Sequence, residues 1–220
     1  SPDPHYPYFH EKADGFLFTK QIITPDEVCI SARVCLLKKK APVAILFNPL
    51  SASRDIYADF VNVLLSKGIS TVQFNYRSYN ETKRALDLVV DGDAVYQYVV
   101  KELASSSKVF FYGHSLGGAI AAKTKAVNGV QGKYAGDRTF QSVFKIITDF
   151  LSIQKLGKLT EKITAFVSAI LFAYPFTALG WEWDAKGALD SMKGDNIILY
   201  HPEDNFFSFN TEVTLTCYPS

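Results

Sequence analysis

The chain is poor in cysteine, in histidine and in net charge, and each scarcity excludes something. Its three cysteines, Cys29, Cys35 and Cys217, form no CxxC pair and have no histidine at ligand spacing. Structural zinc sites need close pairs of such ligands, so no metal is expected. Cys29 and Cys35 stand an even number of residues apart. On one extended strand they would share a face with Cα atoms about 20 Å apart, too far for a disulfide. Reduced, buried thiols are the expectation. Lys and Arg number 23 against 22 Asp and Glu, a net charge of +1, which argues against nucleic acid or another polyanion as the main partner. No basic stripe is interleaved with aromatics, and Lys38-Lys39-Lys40 suits a solvated turn. No apolar run reaches the length of a transmembrane segment. The longest, Ala165 to Leu179, is interrupted by Ser168, Tyr174, Pro175 and Thr177 and reads as a buried strand with its approaches. A signal peptide is missing too, but the chain starts at Ser1, so the compartment stays open between cytoplasm and secretion.

What is present suits one globular domain. The 220 residues are 48% hydrophobic and 20% charged, enough apolar surface for a sizeable core. Residues 1–13 read as a polar and aromatic arm. Phe16 to Ile23 and Val28 to Leu37 read as an antiparallel pair of strands. Pro42 to Pro49 encloses Val-Ala-Ile-Leu-Phe, a strand apolar on both faces. Asp55 to Lys67 places Ile56, Phe60, Val63 and Leu64 on one helical face and ends at Gly68. A strand over Ile69 to Tyr76 and a turn over Asn80 to Thr82 follow. A long helix from Lys83 to Leu103 then runs through Leu86, Val90, Ala94 and Tyr98, with Gly92 as its weak point. Val109 to Tyr112 and Lys133 to Gly136 read as strands. Ala119 to Ala126, Phe140 to Leu156, Leu159 to Ile170 and Asp184 to Met192 read as helices. Strands near Ile170–Tyr174 and Asn196–Tyr200 complete the pattern. Strands alternating with helices predict right-handed crossovers and an α/β fold with a mainly parallel sheet.

The most informative segment is Tyr112-Gly113-His114-Ser115-Leu116-Gly117-Gly118. An apolar strand runs into Gly-x-Ser-x-Gly and then into small, helix-forming residues. A serine on a tight strand-to-helix turn leaves no room for side chains two positions either side, hence the glycines. Such a turn lifts the hydroxyl above the sheet. It also leaves the first helical N–H groups free to face a developing oxyanion.

These features resemble the α/β-hydrolase superfamily, over most of the chain from Phe16 onward. The segments Phe74-Asn75-Tyr76-Arg77, Asp91-Gly92-Asp93-Ala94, Gly136-Asp137-Arg138-Thr139-Phe140 and Gly180-Trp181-Glu182 look like a narrower group, the hydrolase-like proteins of chlamydiae and the SidB-type effectors of Legionella. An effector of that kind would have a host-cell target. The resemblance implies a helix-flanked, mostly parallel sheet and a serine hydrolase acting on an ester, thioester or lipid, with no cofactor. It makes Ser115 the nucleophile and Asp204, after a late strand, the acid that orients a histidine. Glu203 and Asp137 are fallbacks for the acid, although Asp137 reads more readily as an N-cap for a helix beginning near Phe140. Oxyanion donors are then the N–H groups of Leu116 and of Leu50, with Ser51 next, because Pro49 has no N–H to give.

One part of that pattern is missing. The superfamily order is serine, acid, histidine, yet the four histidines are His5, His10, His114 and His201, and none follows Asp204. His114 adjoins the nucleophile, where neighbouring side chains diverge. His201 ends the strand that carries the acid. Only 16 residues follow Asp204, short of the further helix and strand that precede the histidine loop, about 20 residues or more. The expectation is a chain that stops before its base. The alternative is a degenerate hydrolase fold kept for binding.

Overall fold

A computed structural model describes residues 14–37, 40–130, 132–140, 142, 180, 185–192 and 194–199. Seven strands form one sheet: β1 Gly15–Ile23, β2 Cys29–Leu37, β3 Val43–Phe47, β4 Ser70–Phe74, β5 Val109–His114, β6 Lys133–Asp137 and β7 Asn196–Leu199. Their order across the sheet is β1-β2-β4-β3-β5-β6-β7. β1 pairs antiparallel with β2, and β2 antiparallel with β4. Every later pairing is parallel. The central strands β3 and β4 are buried at every residue, as a sheet covered on both faces requires.

Among the described residues four helices do the covering: α1 Ala58–Ser66, α2 Ala85–Glu102, α3 Leu116–Val127 and α4 Ala185–Ser191. On one face α2, α3 and α4 bury Leu88, Val95, Ile120 and Leu189 against Ile45, Val72 and Phe111. On the other, α1 buries Val61, Leu64 and Leu65 against Cys35, Ala44 and Leu46. At roughly 1.5–3 kcal/mol for each fully buried large apolar side chain, these two layers carry most of the fold's stability.

Two helical faces differ from the sequence reading, each for a physical reason. Before α1 the chain makes a 3₁₀ turn, Arg54–Tyr57. Three residues per turn shifts the phase, so Tyr57 and Val61 turn inward while Ile56 and Val63 stay about half exposed. In α2 the inner face holds Leu88, Val95 and Val99 rather than Leu86, because two aspartates share it. Asp87 accepts the Lys83 and Arg84 N–H groups at 2.7 and 2.8 Å and so caps the helix. Asp91 pairs with Arg77. Hydropathy alone places such residues outside. Gly92 is also not a weak point. A Cβ there would stand 2.6 Å from Thr124 Oγ1 and 2.7 Å from Phe47 Cε1, so its absence lets α2 close onto α3 and β3.

Phe140 lies in an isolated β-bridge rather than at a helix start. Nearly all of the helix expected over Phe140 to Leu156, the helix expected over Leu159 to Ile170 and the strand near Ile170–Tyr174 lie outside the described residues. The N-terminal arm and Cys217 do as well. Cys35 is buried as expected, but Cys29 is exposed where β2 leaves the β1–β2 turn and donates its thiol to Gln21 Oε1 at 3.2 Å.

Candidate active site

The site is built where β5 turns into α3. Ser115 has φ 53° and ψ −122°, a backbone conformation that non-glycine residues adopt only at a cost. Tertiary contacts hold it there. The Ser115 N–H donates to the Asp137 carbonyl at 2.9 Å, and its own carbonyl accepts the Thr139 hydroxyl at 2.9 Å. Ser115 precedes α3 as its N-cap residue, but its side chain makes no capping hydrogen bond. An ordinary βα turn would use a serine at that position to satisfy the helix.

The flanking glycines answer to contact distances. A Cβ on Gly113 would lie 2.3 Å from the Gly117 backbone, and one on Gly117 would lie 2.0 Å from the Phe47 carbonyl oxygen. Gly117 therefore brings the end of β3, and the loop after it, directly against the first turn of α3.

That loop carries the proposed second oxyanion donor. Asn48 is fully buried and donates from Nδ2 to the Phe74 carbonyl at 2.7 Å, fixing the loop's root to β4. Pro49 to Ala52 closes a turn through a bond from Ala52 N–H to Pro49 carbonyl at 3.3 Å, with Ser51 at φ 59°. Positive φ at the third position is the type II pattern. Leu50 and Leu116 both line one cleft of about 550 Å³, between this loop and the loop after β4. First-turn N–H groups such as that of Leu116 have no intrahelical partner.

A second network lies beside the elbow. Asp137 ends β6, paired in register with His114. Its Oδ2 accepts the Tyr112 hydroxyl at 3.2 Å and stands 3.3 Å from His114 Nδ1, while Oδ1 stands 3.1 Å from Arg138 Nε. Burial works to raise the Asp137 carboxyl, but its hydrogen bonds to His114 and Arg138 outweigh it and hold the group well below the usual carboxylate range. Among the described residues the side chain is thus engaged by Tyr112, His114 and Arg138, and the helix expected to begin near Phe140 lies almost wholly outside them. Tyr57, which no motif pointed to, bridges the two halves of the site. Its hydroxyl donates to the Phe47 carbonyl at 2.7 Å and accepts the His114 N–H at 3.2 Å. Burial pushes that phenol above its ordinary value, so it stays protonated.

Of the residues picked out in the sequence, Ser115, Leu116, Leu50 and Asp137 gather around the C-terminal ends of β3, β5 and β6. Asp204, Glu203 and His201 lie outside the described residues, as do His5 and His10. His114 is turned to Asp137. Tyr57 was missed, and Thr139 was noted only as part of a short segment, because a hydroxyl that supports a backbone has no spacing signature. Arg77 and Asp91 were noted only as parts of short segments. Among the described residues no group of three or more His, Cys, Asp or Glu stands close enough to hold a metal, and no helix is long and apolar enough to cross a membrane.

No family model and no curated protein matches the chain. Solved structures do. An esterase of Pyrococcus furiosus is 15% identical at a TM-score of 0.64, over 89% of this chain and 74% of that one. An acetyl xylan esterase from Paenibacillus sp. R4 is 14% identical at 0.65, over 86% of this chain and 69% of that one. A puromycin hydrolase is 17% identical at 0.65, over 95% of this chain and 33% of that one. At such identities the likeness concerns the fold, and with the strand order it shows an α/β-hydrolase fold.

Proposed function

We propose that the protein is a serine hydrolase acting by acyl transfer on a carboxylic ester, thioester or lipid. The observation that carries the reading is Ser115 itself: a strained, half-buried residue at a strand-to-helix turn whose side chain does not cap its helix. Esterases and hydrolases among the structural neighbours support the same class. The segments around Arg77, Asp91 and Asp137 are the grounds for the narrower resemblance to effector hydrolases. In the fold they bear structural contacts.

In this mechanism Ser115 Oγ attacks the substrate carbonyl carbon while its proton passes to a histidine base oriented by Asp204. The carbonyl oxygen takes the negative charge and accepts the Leu50 and Leu116 N–H groups. The bond to the leaving group breaks, and the leaving group receives the proton from the histidine. Water then attacks the acyl-serine, the same base takes and returns a proton, and a free acid leaves with Ser115 restored.

Intact-mass analysis during turnover of p-nitrophenyl butyrate tests this. The reading expects a transient butyryl adduct on Ser115, absent in Ser115→Ala, and loss of turnover in Asp204→Asn. Folded full-length protein that neither forms the adduct nor releases nitrophenol would favour the binding-module alternative.

A further inference from the structure

β1 closes one end of the sheet, and among the described residues β2 is the one strand beside it. Its hydrogen bonds fix which residues face outward. The Thr24 N–H donates to the Val28 carbonyl at 2.9 Å, and the register continues to Ile22 opposite Ile30. Antiparallel ladders alternate, so Ile22, Lys20, Phe18 and Phe16 direct their backbone groups to β2. Gly15, Leu17, Thr19, Gln21 and Ile23 direct theirs away from the sheet. Free edges are commonly blunted by proline, a bulge or charged side chains. β1 has no proline, and its register with β2 runs without a bulge. Its one charge, Lys20, leans back over the Tyr98 ring at 5.7 Å.

The side chains add a ridge and a groove. Phe16, Phe18, Lys20 and Ile22 share the face that carries α2, where Ile22 joins the core and Lys20 meets Tyr98. In the first half of β1 this face is a ridge, with Phe16 55% and Phe18 37% exposed. Along the second half a groove of about 730 Å³ runs between β1 and α2, with Lys20, Ile22, Ala94, Tyr98 and Lys101 in its walls. A two-fold axis through Thr19, perpendicular to the sheet, exchanges ridge and groove. We propose that β1 pairs antiparallel with β1 of a second copy of this chain, which joins the two sheets into one. Thr19 then faces the partner's Thr19, Leu17 faces Gln21 and Gly15 faces Ile23, two hydrogen bonds to a pair and about ten in all. Phe16 comes opposite the partner's Ile22 and Phe18 opposite its Lys20, so the aromatic ridge of each copy enters the groove of the other. Moving the axis to Phe18 or Lys20 loses about two of those bonds, and an axis at Lys20 sets that charge against its own copy. Residues 1–13 make a poor alternative strand, since Pro2, Pro4 and Pro7 have no N–H for a ladder. β1 stands four strands from β5, about 19 Å at the usual strand spacing, so the pairing leaves Ser115 open in both copies. It is independent of the chemistry proposed for Ser115.

Sedimentation velocity of the full-length protein over a range of concentrations tests this, with far-UV circular dichroism as the check on folding. Wild type should be a dimer in equilibrium with monomer. Thr19→Pro removes an outward N–H, which an edge strand tolerates, and should raise the dimer dissociation constant at least about tenfold. Phe18→Lys sets a lysine opposite the partner's Lys20 and should do the same. Phe18→Glu sets the opposite charge there and should leave the dimer in place. In a Cys29→Ser background, Thr19→Cys should give an interchain disulfide on oxidation that maps to position 19, because paired Cα atoms there lie about 5.5 Å apart. Wild type that stays monomeric at about 100 µM overturns the proposal and leaves the edge to another protein. A dimer that survives both Thr19→Pro and Phe18→Lys also overturns it, by placing the interface elsewhere. Should neither of those variants fold, the cysteine variant decides alone, and a failure to cross-link at position 19 overturns the proposal.

Discussion

Ser115 occupies φ 53° and ψ −122° because the Asp137 carbonyl and the Thr139 hydroxyl hold its peptide groups from both sides. Such a conformation costs on the order of 1–3 kcal/mol in a residue with a side chain, and strain of this kind collects at functional sites. Replacing Ser115 by Gly should therefore raise the unfolding free energy by about 1 kcal/mol while abolishing any Ser115-dependent turnover, with chemical denaturation as the readout. Loss of stability in that variant would mean that the turn is not strained. Tyr57 supports the opposite expectation. Its hydroxyl serves both the Phe47 carbonyl and the His114 N–H, so Tyr57→Phe leaves two buried polar groups unpaired and should cost about 1–3 kcal/mol. Because those groups belong to β3 and to the elbow, the variant should also lower kcat more than it raises KM. A change in stability alone would confine Tyr57 to a packing role.

At the scale of elements, the apolar strands and the elbow were legible because their signals are local. A continuous apolar run marks β3, and glycines two positions either side of Ser115 mark a turn with no room for Cβ atoms. The inner faces of α1 and α2 were not, since one depends on a 3₁₀ turn and the other on two buried aspartates, Asp91 held by the distant Arg77 and Asp87 by the N–H groups of Lys83 and Arg84. Close packing explains Gly92, where Gly92→Ala should destabilise by about 1–3 kcal/mol through contact with Phe47 and Thr124. The β1–β2 hairpin offers the reverse case. Thr24 N–H bonds the Val28 carbonyl at 2.9 Å, Glu27 N–H bonds the Thr24 carbonyl at 3.0 Å, and Glu27 sits at φ 67°. That bulge position favours glycine, so Glu27→Gly should stabilise by roughly 0.5–1 kcal/mol in thermal or chemical unfolding.

For the whole molecule, acid stability follows from which carboxylates are held ionised. Asp137 is depressed by His114 and Arg138 against the pull of burial, and Asp26 by hydrogen bonds from Arg77 and Thr24. A depressed carboxylate contributes stability that is full above its unfolded value of 3.8 and is lost as pH falls below it. Asp91 acts in the other sense, because burial holds its carboxyl above the ordinary value despite Arg77. Asp87 and Glu81 are also held low, so among the described residues four carboxyls stand against one, and the urea midpoint should fall steadily below about pH 4. A midpoint unchanged down to pH 2.5 would contradict these assignments. In the alkaline range burial pushes Lys125 down to about 8, so folding releases its proton and its contribution grows as pH rises above 8, until the buried tyrosines, held above their ordinary value of 10.0, reverse the trend as pH nears 10. The fold as a whole was legible from alternating strands and helices, and the sheet order agrees with it. The site was legible only where chemistry constrains the backbone. Ser115 and its glycines announce themselves, whereas the cleft between the loops after β3 and β4 arises from residues distant in sequence.

The central claim is that Ser115 is an activated nucleophile, and labelling of the folded protein with a fluorophosphonate probe tests it most directly. The account predicts covalent labelling that maps to Ser115, disappears in Ser115→Ala and is blocked by prior incubation with a short-chain ester. Folded full-length protein that stays unlabelled, or labels equally in Ser115→Ala, would contradict it.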